Sequence, residues 1–305
     1  MMEPSEIAIP PARILLATDL TSQGDRALDR ALQLAKEWHA ELHIVHAVDV
    51  EPPSVPAGVN PIDYLQRYPR ARDEVLRVMR RDLGTDELGA TVHVEEYLAP
   101  APAILAVAER ERCELIVLGE TRQRLLGPIL ESTVEQVVRK SPVSVLVVRD
   151  RPRRPYRHVL VGTDFTGEAQ QALVFAAQLF RDASITLMHA YSMPYSSLLD
   201  STSEAQGWSA SDLKKLREQV EAAPLSPERK ASIRTTVEEG PPNAMLRRYI
   251  LDQGADLTVI GAHPRGMLFD AFVGNSRRIV DAVPSDVLMV RALIPSPAPF
   301  SPKRA

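Results

Sequence analysis

Residues 115–149, LIVLGETRQRLLGPILESTVEQVVRKSPVSVLVVR, set the reading of this chain because they have an echo at residues 257–291, LTVIGAHPRGMLFDAFVGNSRRIVDAVPSDVLMVR. Gly119, Pro142 and Arg149 are matched by Gly261, Pro284 and Arg291 at one offset of 142 (261 − 119, 284 − 142, 291 − 149). Each copy reads as strand, glycine, long loop, helix, proline and strand. An apolar strand ending in a glycine turn that feeds a helix start brings backbone N–H groups to where an anion can meet them.

Working outward, the echo continues. Arg13 to Leu20, RILLATDL, is answered by His158 to Phe165, HVLVGTDF, so that Asp164 matches Asp19 at an offset of 145. Both are short apolar runs read as buried strands. Helical spacing follows in each half, through Leu28, Ala31, Leu32 and Ala35 and through Ala172, Phe175, Ala176 and Leu179. A second strand comes next, Leu42 to Val48 and Ile185 to Tyr191, with His46-Ala47 answered by His189-Ala190 at an offset of 143. Three landmarks at nearly constant offset define an internal repeat.

The halves differ most after the second strand. Glu51 to Pro69 is proline-rich and precedes a charged helix near Ala71 to Leu83; Ser192 to Trp208 is serine-rich and reads as a loop before a helix from Ser211 to Ala223. Third strands, Thr91 to Leu98 and Arg234 to Glu239, then lead through proline-marked turns and further helices to the two organising copies. Strands alternating with helices specify an α/β fold, a parallel sheet covered on both faces, and right-handed crossovers make each half doubly wound. The expected domains are residues 1–150 and 151–305, joined at DRPRRP (Asp150 to Pro155), with a proline-rich disordered tail from about residue 294.

A chain of 305 residues holds two cores of ordinary size, and 45% hydrophobic with 25% charged residues is a soluble composition. With a net charge of −4 there is no large basic excess, so neither nucleic acid nor acidic lipid is the expected main partner. No apolar run reaches membrane-spanning length, and the N-terminus lacks an export pattern. The lone Cys113 cannot form an intrachain disulfide, which fits a reducing, cytoplasmic setting.

The repeated Thr-Asp after the first strand, the histidine and small residue closing the second, and the S-P-x-x-V-L-V-V type of ending resemble the universal stress protein family, twice over. The resemblance implies two five-stranded parallel sheets of order 3-2-1-4-5, paired through their last strands as an intramolecular pseudo-dimer, with Val145 to Val148 beside Val287 to Val290. It also implies a stress-response binding and regulatory protein. Some members of the family bind ATP, with Mg²⁺, through a pattern G-x2-G-x9-G-(S/T), together with the aspartate after the first strand and the residue after the second-strand histidine. Carried over, these positions are Asp164, Ala190, Gly261, Gly274 and Asn275 in the second half, with Gly266, two residues past the second-glycine position, and Ser276, beside Asn275, as further candidates. In the first half they are Asp19, Ala47, Gly119, Arg122 and Ser132, with Thr133 beside Ser132 as a further candidate.

The phosphate loop departs from the pattern in both halves. In the first, Arg122 stands at the second glycine, Glu131 at the third, and the spacing is one residue short. A carboxylate there opposes phosphate, since like unit charges about 4 Å apart repel by roughly 4 kcal/mol at an effective dielectric of 20. In the second, Gly274 keeps the right distance (274 − 261 = 13), while Pro264 removes an amide donor. The second half is therefore the expected adenine-nucleotide site.

Plainer roles compete at each position. Ser132 with Glu135 has capping-box spacing, Asn275 and Ser276 can cap a helix, and the two aspartates can close turns. His46 and His189 lack metal-ligand partners at suitable spacing and read as satisfied core histidines, and Cys113 as an inert thiol. No nucleophile stands beside a base and no P-loop is present, so no catalytic residue and no metal site are expected. The alternative is a nucleotide-free scaffold acting through protein association, homodimerisation included, or through a small apolar ligand.

Overall fold

The computed structural model describes residues 10–21, 24–48, 70–82, 89–96, 99–120, 132–191, 202–262 and 283–291. The first half contains β1 (Arg13–Ala17), α1 (Asp25–Trp38), β2 (Glu41–Val48), α2 (Arg70–Asp82), β3 (Ala90–Glu96), α3 (Pro100–Arg110), β4 (Leu115–Gly119), α4 (Thr133–Lys140) and β5 (Ser144–Val148). The second contains β6 (His158–Thr163), α5 (Gly167–Leu179), β7 (Ser184–Tyr191), α6 (Thr202–Ala222), α7 (Pro227–Ser232), β8 (Arg234–Glu239), α8 (Pro242–Gln253), β9 (Leu257–Gly261) and β10 (Asp286–Val290).

The ten strands form one sheet in the order β3-β2-β1-β4-β5-β10-β9-β6-β7-β8. Each half has the expected order 3-2-1-4-5, all parallel, and the halves join where β10 runs antiparallel to β5, with Val287 opposite Val147 and Met289 opposite Val145. The implied seam between last strands is therefore present within one chain. Both final strands are buried along their whole length, as a strand at the middle of a two-faced sheet requires.

Alternate strand residues enter opposite cores. Ile14, Leu16, Ile44 and Val117 pack toward α1 and α5, and Leu15, Val45, Ile116 and Val145 toward α3 and α4. Both cores continue across the seam. On the first face Trp38, Phe180 and Tyr156 form an aromatic chain, centroids 6.1 and 5.5 Å apart, in which Phe180 at the end of α5 joins Trp38 of α1 to Tyr156, the residue after the linker. Burying such a side chain stabilises by roughly 1.5–3 kcal/mol.

One device recurs at the amino end of each half. The carboxylate of Glu114, just before β4, accepts the amide of Ala12 at 2.5 Å; Asp256, just before β9, accepts those of Arg157 and His158 at 2.9 and 3.1 Å. A carboxylate is thus used twice to satisfy backbone donors at the entry to the first strand.

Residues 202–210, read from the sequence partly as a serine-rich loop, belong to α6, which begins at Thr202. Serine propensity is a weak signal, and a helix anchored by the buried Leu216 and Val220 extends cheaply once nucleated. The short α7 carries no periodic apolar pattern and was not legible; Ser226 caps it by accepting from the amide of Arg229 at 3.3 Å. The C-terminal tail lies outside the described residues.

Candidate functional site

The described candidate residues lie at the carboxyl ends of the first, second and fourth strands of each half and, in the first half, at the start of α4, near the point where strand order reverses and doubly wound sheets place ligands. After β1 the chain turns sharply. The amide of Leu20 donates to Thr18 Oγ1 at 3.0 Å, and Thr21 donates through its amide at 3.0 Å and its hydroxyl at 2.7 Å to Asp19 Oδ1. The second half repeats this: Phe165 N to Thr163 Oγ1 at 3.0 Å, with Thr166 amide and hydroxyl to Asp164 Oδ1 at 3.2 and 2.6 Å.

Both turns force a bulky residue into the left-handed region, Leu20 at φ 58° and Phe165 at φ 64°. That conformation costs an L-residue roughly 1–2 kcal/mol, and the side chains of Thr18/Asp19 and Thr163/Asp164 hold it. Both aspartates thus close turns with one oxygen, and among the described residues no partner is found for Oδ2 of either.

The histidines that close the second strands are satisfied. His46 Nδ1 lies 2.9 Å from the carbonyl oxygen of Thr18, and His189 Nδ1 2.8 Å from that of Thr163. Each fixes the end of its second strand to the turn beside it. The small residues that follow differ, since Ala47 is half-buried and Ala190 buried.

In the second half a polar cluster that the sequence did not reveal covers this region. Phe165 packs on His189 with centroids 4.4 Å apart, and the buried Asp212 of α6 brings Oδ2 to 4.0 Å from His189 Nε2. Lys215, one turn on, pairs with Asp212 at 2.9 Å. Sequence reasoning missed both: Phe165 stands next to Asp164 and could have been found there, whereas nothing in the sequence marks Asp212 as a neighbour of His189.

The phosphate-loop positions divide sharply. Ser132 Oγ accepts the amide of Glu135 at 3.2 Å, while the Glu135 carboxylate accepts the amide of Ser132 at 2.8 Å, a reciprocal capping box at the start of α4. Thr133 is the first residue of that helix. Two of the donors that an anion would need are therefore already used, and the carboxylate adds negative charge. Next to Gly119, Glu120 pairs with Arg149 at 2.7 Å.

Gly261 has a structural reason to be glycine. A Cβ there would stand 2.5 Å from the backbone carbonyl carbon and oxygen of Glu168 and 2.8 Å from the amide of Ala169, so the residue permits α5 to pack against the end of β9. Arg122, Gly266, Gly274, Asn275 and Ser276 lie outside the described residues.

Cys113 is buried before β4, and burial, then the charge of Glu111, raises its thiol to about 12. The thiolate fraction at neutral pH is negligible, as the inert reading expects.

With the fold and these turns in place, the universal stress protein family model matches residues 11–149 and 155–291. The chain belongs to the universal stress protein family and carries two copies of its domain. A universal stress protein, MJ0531, from Methanocaldococcus jannaschii is 30% identical over 145 residues, which is 47% of this chain and 84% of that protein. Among solved structures, a universal stress protein from Archaeoglobus fulgidus superposes with TM-score 0.62 at 17% identity, covering 92% of this chain and 96% of its own. One described as a putative universal stress protein, from Pseudomonas aeruginosa, gives TM-score 0.59 at 22% identity over 92% of this chain and 93% of its own. These likenesses support the tandem fold. Among the described residues no helix is long and apolar enough to cross a membrane.

Proposed function

We propose that this protein is a binding and regulatory module of the stress response, taking one adenine nucleotide, ATP with its Mg²⁺, in its second half. The observation that carries this asymmetric reading is the capping box at Ser132: the first half has closed with its own carboxylate the helix start that phosphates require. In the second half Asp164 spends one oxygen on its turn and keeps the other for a ribose hydroxyl, and the sequence keeps Gly274 at the family spacing from Gly261. Nucleotide would act by ordering the loops around the site and so changing a partner surface. Turnover is incidental in this reading, and the chain works in the cytoplasm without a dedicated catalytic residue.

A second reading, a nucleotide-free scaffold, is favoured by Gly261, whose lack of a side chain is accounted for by packing against α5. Mass spectrometry of small molecules released from freshly purified protein, with calorimetric titration of ATP, separates the two. The first reading expects stoichiometric binding that Gly274→Val abolishes and Ser132→Val leaves intact. No released nucleotide and no heat at millimolar ATP would sink it, and sensitivity to Ser132→Val rather than Gly274→Val would move the site to the first half.

A further inference from the structure

Away from the carboxyl-end cleft, the outer edge of the first half carries a cluster that the nucleotide reading does not use. His43 of β2, His93 of β3 and Glu111, which caps the end of α3, converge on the α3 side of the sheet. One nitrogen from each ring and one Glu111 oxygen all lie within 4.8 Å of one another. The two rings are nearly parallel, 16° apart with centroids at 5.4 Å, and His43 Nδ1 stands 3.1 Å from His93 Nε2. His93 Nδ1 is 3.8 Å from Glu111 Oε1. His43 is buried, and the side chains of His93 and Glu111 are 11% and 27% exposed, so the group is largely covered but reached by solvent.

We propose that His43, His93 and Glu111 form a site for a divalent transition ion of the zinc type, with water at the fourth position. Two imidazoles and a carboxylate are a recurrent three-ligand set for zinc. Metal–nitrogen bonds of about 2.1 Å that span 3.1 Å enclose an angle of roughly 95°, within reach of tetrahedral after small side-chain movement. A cationic side chain already engages the cluster. The half-exposed guanidinium of Arg110 donates to Glu111 Oε1 at 3.0 Å and to Glu95 Oε1 at 2.8 Å. Its Nη2, which can only donate, lies 3.3 Å from His93 Nδ1.

Arg110 and a metal ion therefore compete for Glu111 Oε1, and a divalent ion prevails by directing two charges at an oxygen that the guanidinium reaches with a single hydrogen bond. The C-terminal end of α3 adds a negative field at the same place. Bound metal would pin β2, β3 and α3 together at the sheet's outer edge, independently of the nucleotide site. That the two histidines sit in neighbouring strands also explains why no ligand spacing appears in the sequence: they are 50 residues apart.

The test uses the full chain stripped with a chelator, then titrated with Zn²⁺ by calorimetry and with Co²⁺ by visible absorption, which reports tetrahedral nitrogen and oxygen coordination. The expected result is one equivalent with a tetrahedral cobalt band. His93→Gln and Glu111→Gln each weaken binding at least about tenfold, Arg110→Gln leaves it equal or tighter, and His39→Asn leaves it unchanged. Far-UV circular dichroism and melting temperature without metal check that each variant is folded, and His43, the most buried ligand, is left intact for that reason. Absence of a one-to-one cobalt band in the wild type overturns the proposal. So does a folded His93→Gln variant that binds with wild-type affinity and spectrum, or tighter binding on loss of Glu111.

Discussion

Ser144 and Asp286 occupy the same place in the two halves, the first residue of the last strand (286 − 144 = 142), and they do different work. Ser144 Oγ accepts the amide of Arg291 at 3.2 Å. Asp286, fully buried, accepts the amides of Arg149 and Asp150 at 2.7 and 2.9 Å and the hydroxyl of Tyr156 at 2.5 Å, and faces Arg30 Nε at 3.5 Å. Arg30 in turn lies over the Tyr156 ring at 3.9 Å. The seam is pseudo-symmetric in its strands and asymmetric in its chemistry, because only at one end must the chain turn from β5 through the linker into the second half.

Burial raises the Asp286 carboxyl and also the Tyr156 phenol, whose ionisation Asp286 opposes as well. Such a cluster says little for net stability while intact, since desolvation offsets much of the attraction, but breaking it strands a buried charge. The largest expected effect is therefore at this position: Asp286→Ala should lower unfolding free energy by about 3–5 kcal/mol, against about 1 kcal/mol or less for Ser144→Ala. Urea denaturation of both variants gives the comparison, and equal losses would mean the two ends of the seam are alike.

Next comes the glycine that ends β9. Gly261→Ala should cost about 1–3 kcal/mol, because its Cβ meets the backbone at the start of α5, and a crystal structure of the variant should show α5 displaced. Ser132→Ala, at the helix start of the other half, should cost about 1 kcal/mol in chemical denaturation and leave ATP binding unaltered.

Smaller effects follow from two further matched positions. Arg112 and Gly254 follow the helices before the fourth strands (254 − 112 = 142), and both adopt left-handed backbone, at φ 54° and 68°. Gly254→Ala should lose about 1 kcal/mol from strain, since nothing obstructs its Cβ. Arg112→Gly should gain about half as much by relieving the same strain. Paired thermal melts test whether this contrast is purely conformational.

Cys113 is matched by the buried Ala255, and Cys113→Ala should change stability at pH 7 by about 1 kcal/mol or less. The folded thiol is raised to about 12 from an ordinary value of 9.0, so its contribution is complete below pH 9 and is lost as pH rises toward 12. The variant should therefore show a shallower alkaline loss in urea titrations at rising pH. Native protein should also resist a thiol reagent at pH 8 that labels one equivalent after unfolding.

Much of this molecule was readable in one dimension. The repeat, the apolar runs at β1, β4, β6 and β9 and the glycine-to-proline skeleton of the two organising copies specified doubly wound halves, because burial on both faces of a parallel sheet demands continuous apolar strands. Ser132 and Glu135 announced their capping box through a three-residue spacing, which is a local interaction. Asp19 and Asp164 were legible as turn residues for the same reason, each bonding two residues ahead.

What the sequence could not order was contact between residues far apart in the chain. Asp212 beside His189, Glu168 against Gly261, Arg30 with Asp286, and His43 with His93 and Glu111 all depend on which strands become neighbours and which helix face covers them. The sequence by itself determined two like domains and the turn chemistry at their carboxyl ends, through short-range spacing and periodicity. The tertiary structure alone decided that the seam is pinned at one end by a buried carboxylate and that two imidazoles meet at the outer edge. Those outcomes rest on burial and charge pairing, which exist only once the ten strands lie side by side.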